Sequence, residues 1–236
     1  MCSGRVDLAY VLRAFANGID GVFIGGCRLN ECNYITHGNY HALNMVLLAK
    51  RIIEHVGLDP ARLRIDFMSG SEGNLFAETV NDFVGQIKEL GPLGQKEGLE
   101  ETERNARLAA VTRLVPYIKV EKQEKLGVRL GNPQDYAGYF TKEEVDELLN
   151  NVASYYIDPQ KCQACMTCAR RCPAEAVISA KNQIHVIDQE KCIKCGTCLT
   201  ACPAKFGAVT KLTGAPPPPL PEAERTVVRK SKEKTG

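Results

Sequence analysis

Apolar residues at Leu8, Val11, Leu12 and Phe15 recur at the interval that places them on one face of a helix. A helix is therefore expected over residues 6–17, with Gly18 where a left-handed C-terminal cap would sit. Residues 21–24 form a short apolar run and read as a buried strand. A longer helical pattern follows over 39–56 and stops at Gly57, and residues 63–68 read as a second strand. Ser69 or Ser71 is expected to cap a third helix that runs to Leu90 and ends at Gly91-Pro92.

Strands separated by helices of this length call for a parallel sheet with crossover connections. The order begins with a helix, whereas a doubly wound sheet begins with a strand at its centre. From about residue 94 the composition becomes charged and helical. One helix is expected over 99–115, ended at Pro116; residues 127–138 are rich in turn formers; Thr141 and Glu144 form a capping box that opens a helix through Val152. This stretch reads as a connector packed on a neighbour, with an exposed linker as the alternative. Beyond Leu212, the prolines at 216–219 and 221 favour polyproline II, and a basic, polar, disordered tail is expected after them. The organisation expected is α/β: a small parallel-sheet, flavodoxin-like domain over 1–93, a helical connector over 94–153, an α+β domain over 154–212 and a tail over 213–236.

Composition narrows the class. The 236 residues suffice for two small domains. A net charge of +2, from 30 basic and 28 acidic residues, lacks the electrostatic footprint of a nucleic-acid or anionic-membrane binder, so a protein partner is the default. No apolar run approaches the roughly 18 residues of a membrane span. The first residues lack the charged and apolar segments of a secretory signal, which points to the cytoplasm. In such a reducing compartment 11 cysteines need a reason other than disulfides.

Eight of them fall in a duplication at an offset of 30. Ile157-Asp158, Lys161-Cys162, Cys165, Thr167-Cys168 and Cys172-Pro173 match Ile187-Asp188, Lys191-Cys192, Cys195, Thr197-Cys198 and Cys202-Pro203. Each copy reads C-x-x-C-x-x-C-x-x-x-C-P. Two-residue gaps turn successive thiolates toward one centre, and loop amides aimed inward offset the negative charge of a cluster. The spacing resembles that of two-cluster bacterial ferredoxins over about residues 155–212, in which the fourth, remote cysteine ligates the other cluster. That resemblance implies one [4Fe-4S] cluster on Cys162, Cys165, Cys168 and Cys202 and another on Cys192, Cys195, Cys198 and Cys172. Met166 stands where a glycine is common, and the turn over residues 204–207 is longer than its counterpart. The competing chemistry is structural zinc, which uses two C-x-x-C pairs and leaves four cysteines per copy and the prolines without a role.

The other three cysteines sit near the start. Cys27 follows the first strand at its carboxyl end, the edge where open parallel sheets bind ligands. Cys32 lies in the same loop, and Cys2 precedes the first helix, so three thiolates can converge there. Cys2-Ser3-Gly4-Arg5-Val6-Asp7, Gly25-Gly26-Cys27, Glu31-Cys32-Asn33-Tyr34, Gly38-Asn39-Tyr40-His41 and Ser69-Gly70-Ser71-Glu72-Gly73 together resemble the delta subunit of methyl-viologen-reducing hydrogenase over residues 1–92. The resemblance implies a [2Fe-2S] cluster on Cys2, Cys27 and Cys32, with a fourth ligand unassigned, and electron delivery to the flavin-bearing subunit of a heterodisulfide reductase. It also implies an opening strand and cysteine-bearing turn, expected to be encoded upstream of Met1, where a selenocysteine codon would read as a stop. Against this stands a degenerate domain in which the three cysteines are ordinary small core residues. His37 and His41 stand at helical spacing, yet Gly38 occupies the place where a zinc protease carries its glutamate. No G-x-G-x-x-G phosphate loop follows a strand, which argues against FMN on this chain.

The expected role is thus an iron-sulfur electron-transfer subunit between a hydrogenase or formate-dehydrogenase-like module and a heterodisulfide reductase-like flavoprotein, with no catalytic residue of its own. The alternative is a stand-alone ferredoxin-type carrier.

Overall fold

Asp7 starts the first helix: its carboxylate accepts the Ala9 amide at 2.9 Å and caps α1 (Leu8–Ala16). Leu8, Val11, Leu12 and Phe15 are buried along one face, and Gly18 takes a left-handed φ of 80° just past the end. The computed structural model describes residues 2–34, 37–213 and 217–218. The tail expected to be disordered lies, apart from Thr213, Pro217 and Pro218, outside the described residues. The chain divides into two compact units, Met1–Asn150 and Asn151–Gly236.

In the first unit, β1 (Val22–Gly26) and β2 (Leu63–Phe67) pair in parallel, with Val22 opposite Leu63 and Gly26 opposite Phe67. The connection is α2 (Asn39–Val56), which ends at Gly57 in a left-handed cap with φ of 102°. Ala42, Val46, Leu48, Ala49, Ile52 and Ile53 of α2 are all fully buried, which is more of the circumference than an ordinary surface helix covers. Helices on several sides account for it: α1 packs on one side, while α4 (Glu101–Arg113), α6 (Gln123–Gly127) and α7 (Lys142–Asn150) also lie against α2. Residues 94–150 therefore belong to the same compact unit as the sheet. The buried Asn44 side chain donates to the carbonyls of Lys125, Leu126 and Val128 at 3.2, 3.2 and 2.7 Å, fastening α2 to the end of α6.

Three local expectations need correction. The sheet has two parallel strands among the described residues, a narrower platform than a full flavodoxin-like sheet. Neither Ser69 nor Ser71 caps α3 (Gly73–Leu90). Its N-cap is Glu72, whose side chain caps no helical amide; the carboxylate instead accepts the Ser69 amide and pairs with Arg28. Pro116 does not end a helix either. Leu114 closes α4 and opens α5 (Val115–Glu121), and Pro116 lies in the first turn of α5, where its missing N–H costs no hydrogen bond. Of the capping box, the Thr141 hydroxyl accepts the Glu144 amide at 3.1 Å, while the Glu144 carboxylate turns away to Lys122 and Lys125.

The second unit is a ferredoxin-type α+β domain. β3 (Ser154–Ile157) pairs antiparallel with β6 (Val209–Leu212), and β4 (Val177–Ile178) pairs antiparallel with β5 (Val186–Ile187). Two five-residue helices, α8 (Thr167–Arg171) and α9 (Thr197–Ala201), lie against each other. Its core joins Tyr155, Ile157, Val177, Ile184, Ile187, Ala208 and Val209 to the thiols of Cys162, Cys168 and Cys198. Among the described residues of either unit, no helix is long and apolar enough to cross a membrane.

Candidate metal centres

The sequence repeat is also a structural repeat. After β3, the Asp158 amide donates to the Ala208 carbonyl at 2.7 Å; after β5, the Asp188 amide donates to the Ala176 carbonyl at 2.8 Å. Each aspartate then receives the next cysteine's amide on its own carbonyl, Cys162 and Cys192 both at 3.0 Å, and a loop amide on its carboxylate. These bonds fix where each cysteine loop starts. Farther along, Ala164 and Met166 adopt left-handed φ values of 50° and 64°, and Lys194 and Gly196 repeat them at 58° and 73°. The turns aim the loops inward and open α8 and α9.

Two cavities result. One is lined by Cys162, Cys165, Cys168 and Cys202, with Ile157, Phe206 and Val209 as apolar walls. The other is lined by Cys192, Cys195, Cys198 and Cys172, with Tyr155, Val177 and Ile187. In each, three thiols come from one copy and the fourth from the other. Among the described residues no three His, Cys, Asp or Glu side chains converge closely enough for one metal ion, whereas zinc would need four ligands within about 2.3 Å of a single point.

The donor chemistry fits a polynuclear cation. Burial, reinforced by Cys162 and Cys165, pushes the Cys168 thiol up to about 11; burial with Cys192, Cys168 and Cys195 pushes Cys198 up to about 12. Four thiolates cannot collect in such a space without positive charge among them. Donors stand ready for the sulfurs: the Thr167 hydroxyl lies 3.4 Å from Cys165 Sγ, the Thr197 hydroxyl 3.2 Å from Cys195 Sγ, and the Ala176 amide donates to Cys172 Sγ at 3.3 Å.

Met166 and Gly196 occupy the same left-handed position in the two copies, and only one is a glycine. At Gly196 a side chain is excluded twice over, because φ is positive and a Cβ there would lie 2.8 Å from the Tyr155 hydroxyl. A non-glycine residue in this conformation costs about 1–2 kcal/mol. Met166→Gly is therefore expected to stabilise the loaded domain by about 1 kcal/mol, and Gly196→Ala to destabilise it by at least as much. Thermal unfolding of the anaerobic protein followed at the cluster absorbance measures both.

In the first unit, Cys27 comes directly after β1, Cys2 caps the short 3-10 turn Ser3–Arg5, and Cys32 follows in the loop. Cys2 Sγ and Cys32 Sγ are 3.7 Å apart, and the Gly4 amide donates to Cys2 Sγ at 3.4 Å. The buried Asn39 fixes the third corner: its amide donates to the Cys27 and Arg28 carbonyls at 2.9 and 2.7 Å and lies 3.7 Å from Cys27 Sγ. Partial desolvation at the rim and the thiols of Cys32 and Cys2 push Cys27 up, although its side chain is largely exposed. For Cys32 burial acts upward, but the amides of Tyr34 and Asn39 outweigh it and the thiol is held below its usual range. Gly38 is required here, since a Cβ would sit 2.6 Å from Cys32 Sγ. His37 and His41 lie side by side, ring centroids 5.6 Å apart, and burial, with His37 and Lys119 nearby, lowers the affinity of His41 for a proton. Asn39 belongs to the Gly38-Asn39-Tyr40-His41 motif, but sequence reasoning assigned its side chain no role at the site.

Comparison with known proteins matches residues 1–91 to the family described as methyl-viologen-reducing hydrogenase, delta subunit, and residues 154–203 to a 4Fe-4S dicluster domain. The vhu iron-sulfur subunit of the F420-non-reducing hydrogenase of Methanopyrus kandleri is 39% identical over 92 residues, which is 39% of this chain and 69% of that protein. The chain belongs to the hydrogenase delta-subunit family. The corresponding iron-sulfur subunit of the F420-non-reducing hydrogenase of Archaeoglobus profundus is 44% identical over 91 residues, covering 39% of this chain and 66% of its own length. One of the polypeptides of the ferredoxin/F420H2-dependent CoB-CoM heterodisulfide reductase of Methanosarcina acetivorans is 46% identical over 96 residues, 41% of this chain. The match spans 12% of that protein's length, so it corresponds to a small part of a larger polypeptide.

Proposed function

We propose that this chain is an iron-sulfur electron-transfer subunit that relays electrons between a hydrogenase or formate-dehydrogenase-like module and a heterodisulfide reductase-like flavoprotein. The observation that carries the reading is the pair of cavities, each lined by three thiols of one copy and one of the other. On this reading Cys162, Cys165, Cys168 and Cys202 hold one [4Fe-4S] cluster and Cys192, Cys195, Cys198 and Cys172 a second. Bound clusters of this kind accept and release single electrons. What the chain contributes is the shared wall: α8 carries Cys168 for one cavity and bears Cys172 for the other at its end, so a short protein path joins the two sites.

For the first unit we propose a [2Fe-2S] cluster on Cys2, Cys27 and Cys32. Their convergence supports it, since three unrelated core cysteines have no reason to meet at the carboxyl edge of a parallel pair. The finer architecture assigned is flavodoxin-like, from the parallel β1–α2–β2 unit. Partnering is supported by the relatives, which are named as polypeptides of hydrogenases and of a heterodisulfide reductase. It is also supported by α3, which leaves Leu75, Phe76 and Val84 exposed at 40, 49 and 42%.

Anaerobic purification of the chain with its native neighbours tests the proposal. The expected result is a stoichiometric flavoprotein, iron and acid-labile sulfide matching two cubanes plus a smaller cluster, and a [2Fe-2S] EPR signal that disappears in Cys27→Ser and Cys32→Ser. A monomeric chain with no flavoprotein attached would favour the stand-alone carrier, and stoichiometric zinc with no iron would overturn both readings.

A further inference from the structure

The two cluster cavities are not equivalent, because the repeat breaks at one position beside each of them. Tyr155 and His185 correspond at the offset of 30; Tyr155 lines the second cavity and His185 the first. His185 is 1% exposed, and its Nδ1 lies 3.2 Å from Cys168 Sγ. Its Nε2 is buried with no hydrogen-bond partner among the described residues. In the other copy the Tyr155 ring reaches past the loop, its hydroxyl beside Gly196, and places no imidazole against Cys198.

A thiolate bound to iron has no proton to give, so in the loaded protein the 3.2 Å contact requires Nδ1–H as donor and Cys168 Sγ as acceptor. We propose that His185 raises the reduction potential of the cluster held by Cys162, Cys165, Cys168 and Cys202, and so makes the two clusters of this domain unequal. Reduction adds one electron and one negative charge to the cluster, with no proton transferred. An N–H dipole aimed at a ligand sulfur stabilises the more negative state, and at this burial water screens it little. The inference rests on the two-cluster reading above.

The test is an EPR-monitored redox titration of the full-length, anaerobically loaded protein, with dithionite as reductant. His185→Phe removes the donor and keeps an aromatic ring. It is expected to lower one of the two cubane waves by about tenfold in the reduction equilibrium, ~59 mV for one electron, and to leave the other in place. His185→Gln, which keeps an N–H, should recover part of the shift. Tyr155→His, which brings a donor to the second cavity, should raise the other wave. Waves that stay put in all three variants, or that move together as a structural disturbance would make them, overturn the proposal. A wild-type protein without iron fails the two-cluster reading itself, a result distinguishable from unmoved potentials in a coloured protein.

Discussion

Oxidative removal of iron from the purified protein is expected to unfold the carboxy-terminal unit and leave the amino-terminal unit folded. The second unit has little else to hold it. Its strands are two to four residues long and its helices five, far below the ~12–15 residues at which a helix is marginally stable alone. Its core consists partly of the ligands: Cys162, Cys168 and Cys198 lie inside it, and Cys172, Cys192 and Cys202 pack against it. Empty, the two cavities would leave apolar walls without contacts and buried thiols without partners. In small metal-dependent domains of this kind, binding free energy is folding free energy. The first unit stands differently. Its core is built on Leu12, Phe15, Val46, Ile52 and Ile53, all fully buried, while Cys27 is exposed and Cys2 and Cys32 are only half-buried at the rim. Hydrogen exchange of the full chain before and after ferricyanide and EDTA treatment reads both units at once. Amides of β3, β6 and the cysteine loops should lose protection completely, and those of α1 and α2 should keep theirs. Retained protection after residue 154 in iron-free protein would show that the apolar residues suffice without the clusters.

Residues whose chemistry depends on sequence spacing were legible from the sequence. The C-x-x-C-x-x-C-x-x-x-C-P repeat marks the eight cysteines that line the two cavities. The helices α1 and α2 were legible because their apolar residues follow one period and glycines mark their ends. What escaped depends on contacts between distant segments. Pro116 reads as a stop because proline breaks a helix interior, and only the helix break at Leu114 makes it a first-turn residue. Glu72, not either serine, holds the N-cap position of α3, and its carboxylate is taken by the Ser69 amide and by Arg28, a residue 44 positions earlier. His185 carries no signal among the repeat's noted departures, and its significance depends on the ring turning toward Cys168. The convergence of the three amino-terminal thiols is legible from Cys27 after the first strand with Cys2 and Cys32 near it, whereas the Asn39 bonds that hold the Cys27 loop are announced by no local pattern.

Arg62 is the clearest case of a residue with no sequence signal and a large expected effect: Arg62→Met should destabilise the amino-terminal unit by about 3–5 kcal/mol, the cost of breaking a buried ion pair from one side. Its side chain is fully buried, and every part of the guanidinium is used. Nε and Nη2 donate to the Glu97 carboxylate at 2.6 and 3.0 Å, Nη1 to the carbonyls of Asp20 and Gly91 at 3.1 and 2.9 Å, and Nη2 also to those of Leu90 and Pro92 at 3.3 Å. One side chain thus caps the carboxyl end of α3, ties it to the segment entering β1, and anchors residue 97 of the helical region. Lysine cannot replace it, since one ammonium cannot span that fork of acceptors. Burial alone would push the Glu97 carboxyl up, but Arg62 and the Asp59 amide outweigh it and hold it below the usual range. The pair's contribution is accordingly present above the ordinary glutamate range and is lost as pH falls through the lowered folded value. Urea unfolding of the full chain, followed by the helical signal at neutral pH, should show the midpoint falling in Arg62→Met. Arg62→Met combined with Glu97→Gln should recover only part of the loss, because four main-chain carbonyls still lack their donor. A double variant as stable as the wild type would mean that the carbonyl contacts contribute nothing, and that the ion pair is the whole of the effect.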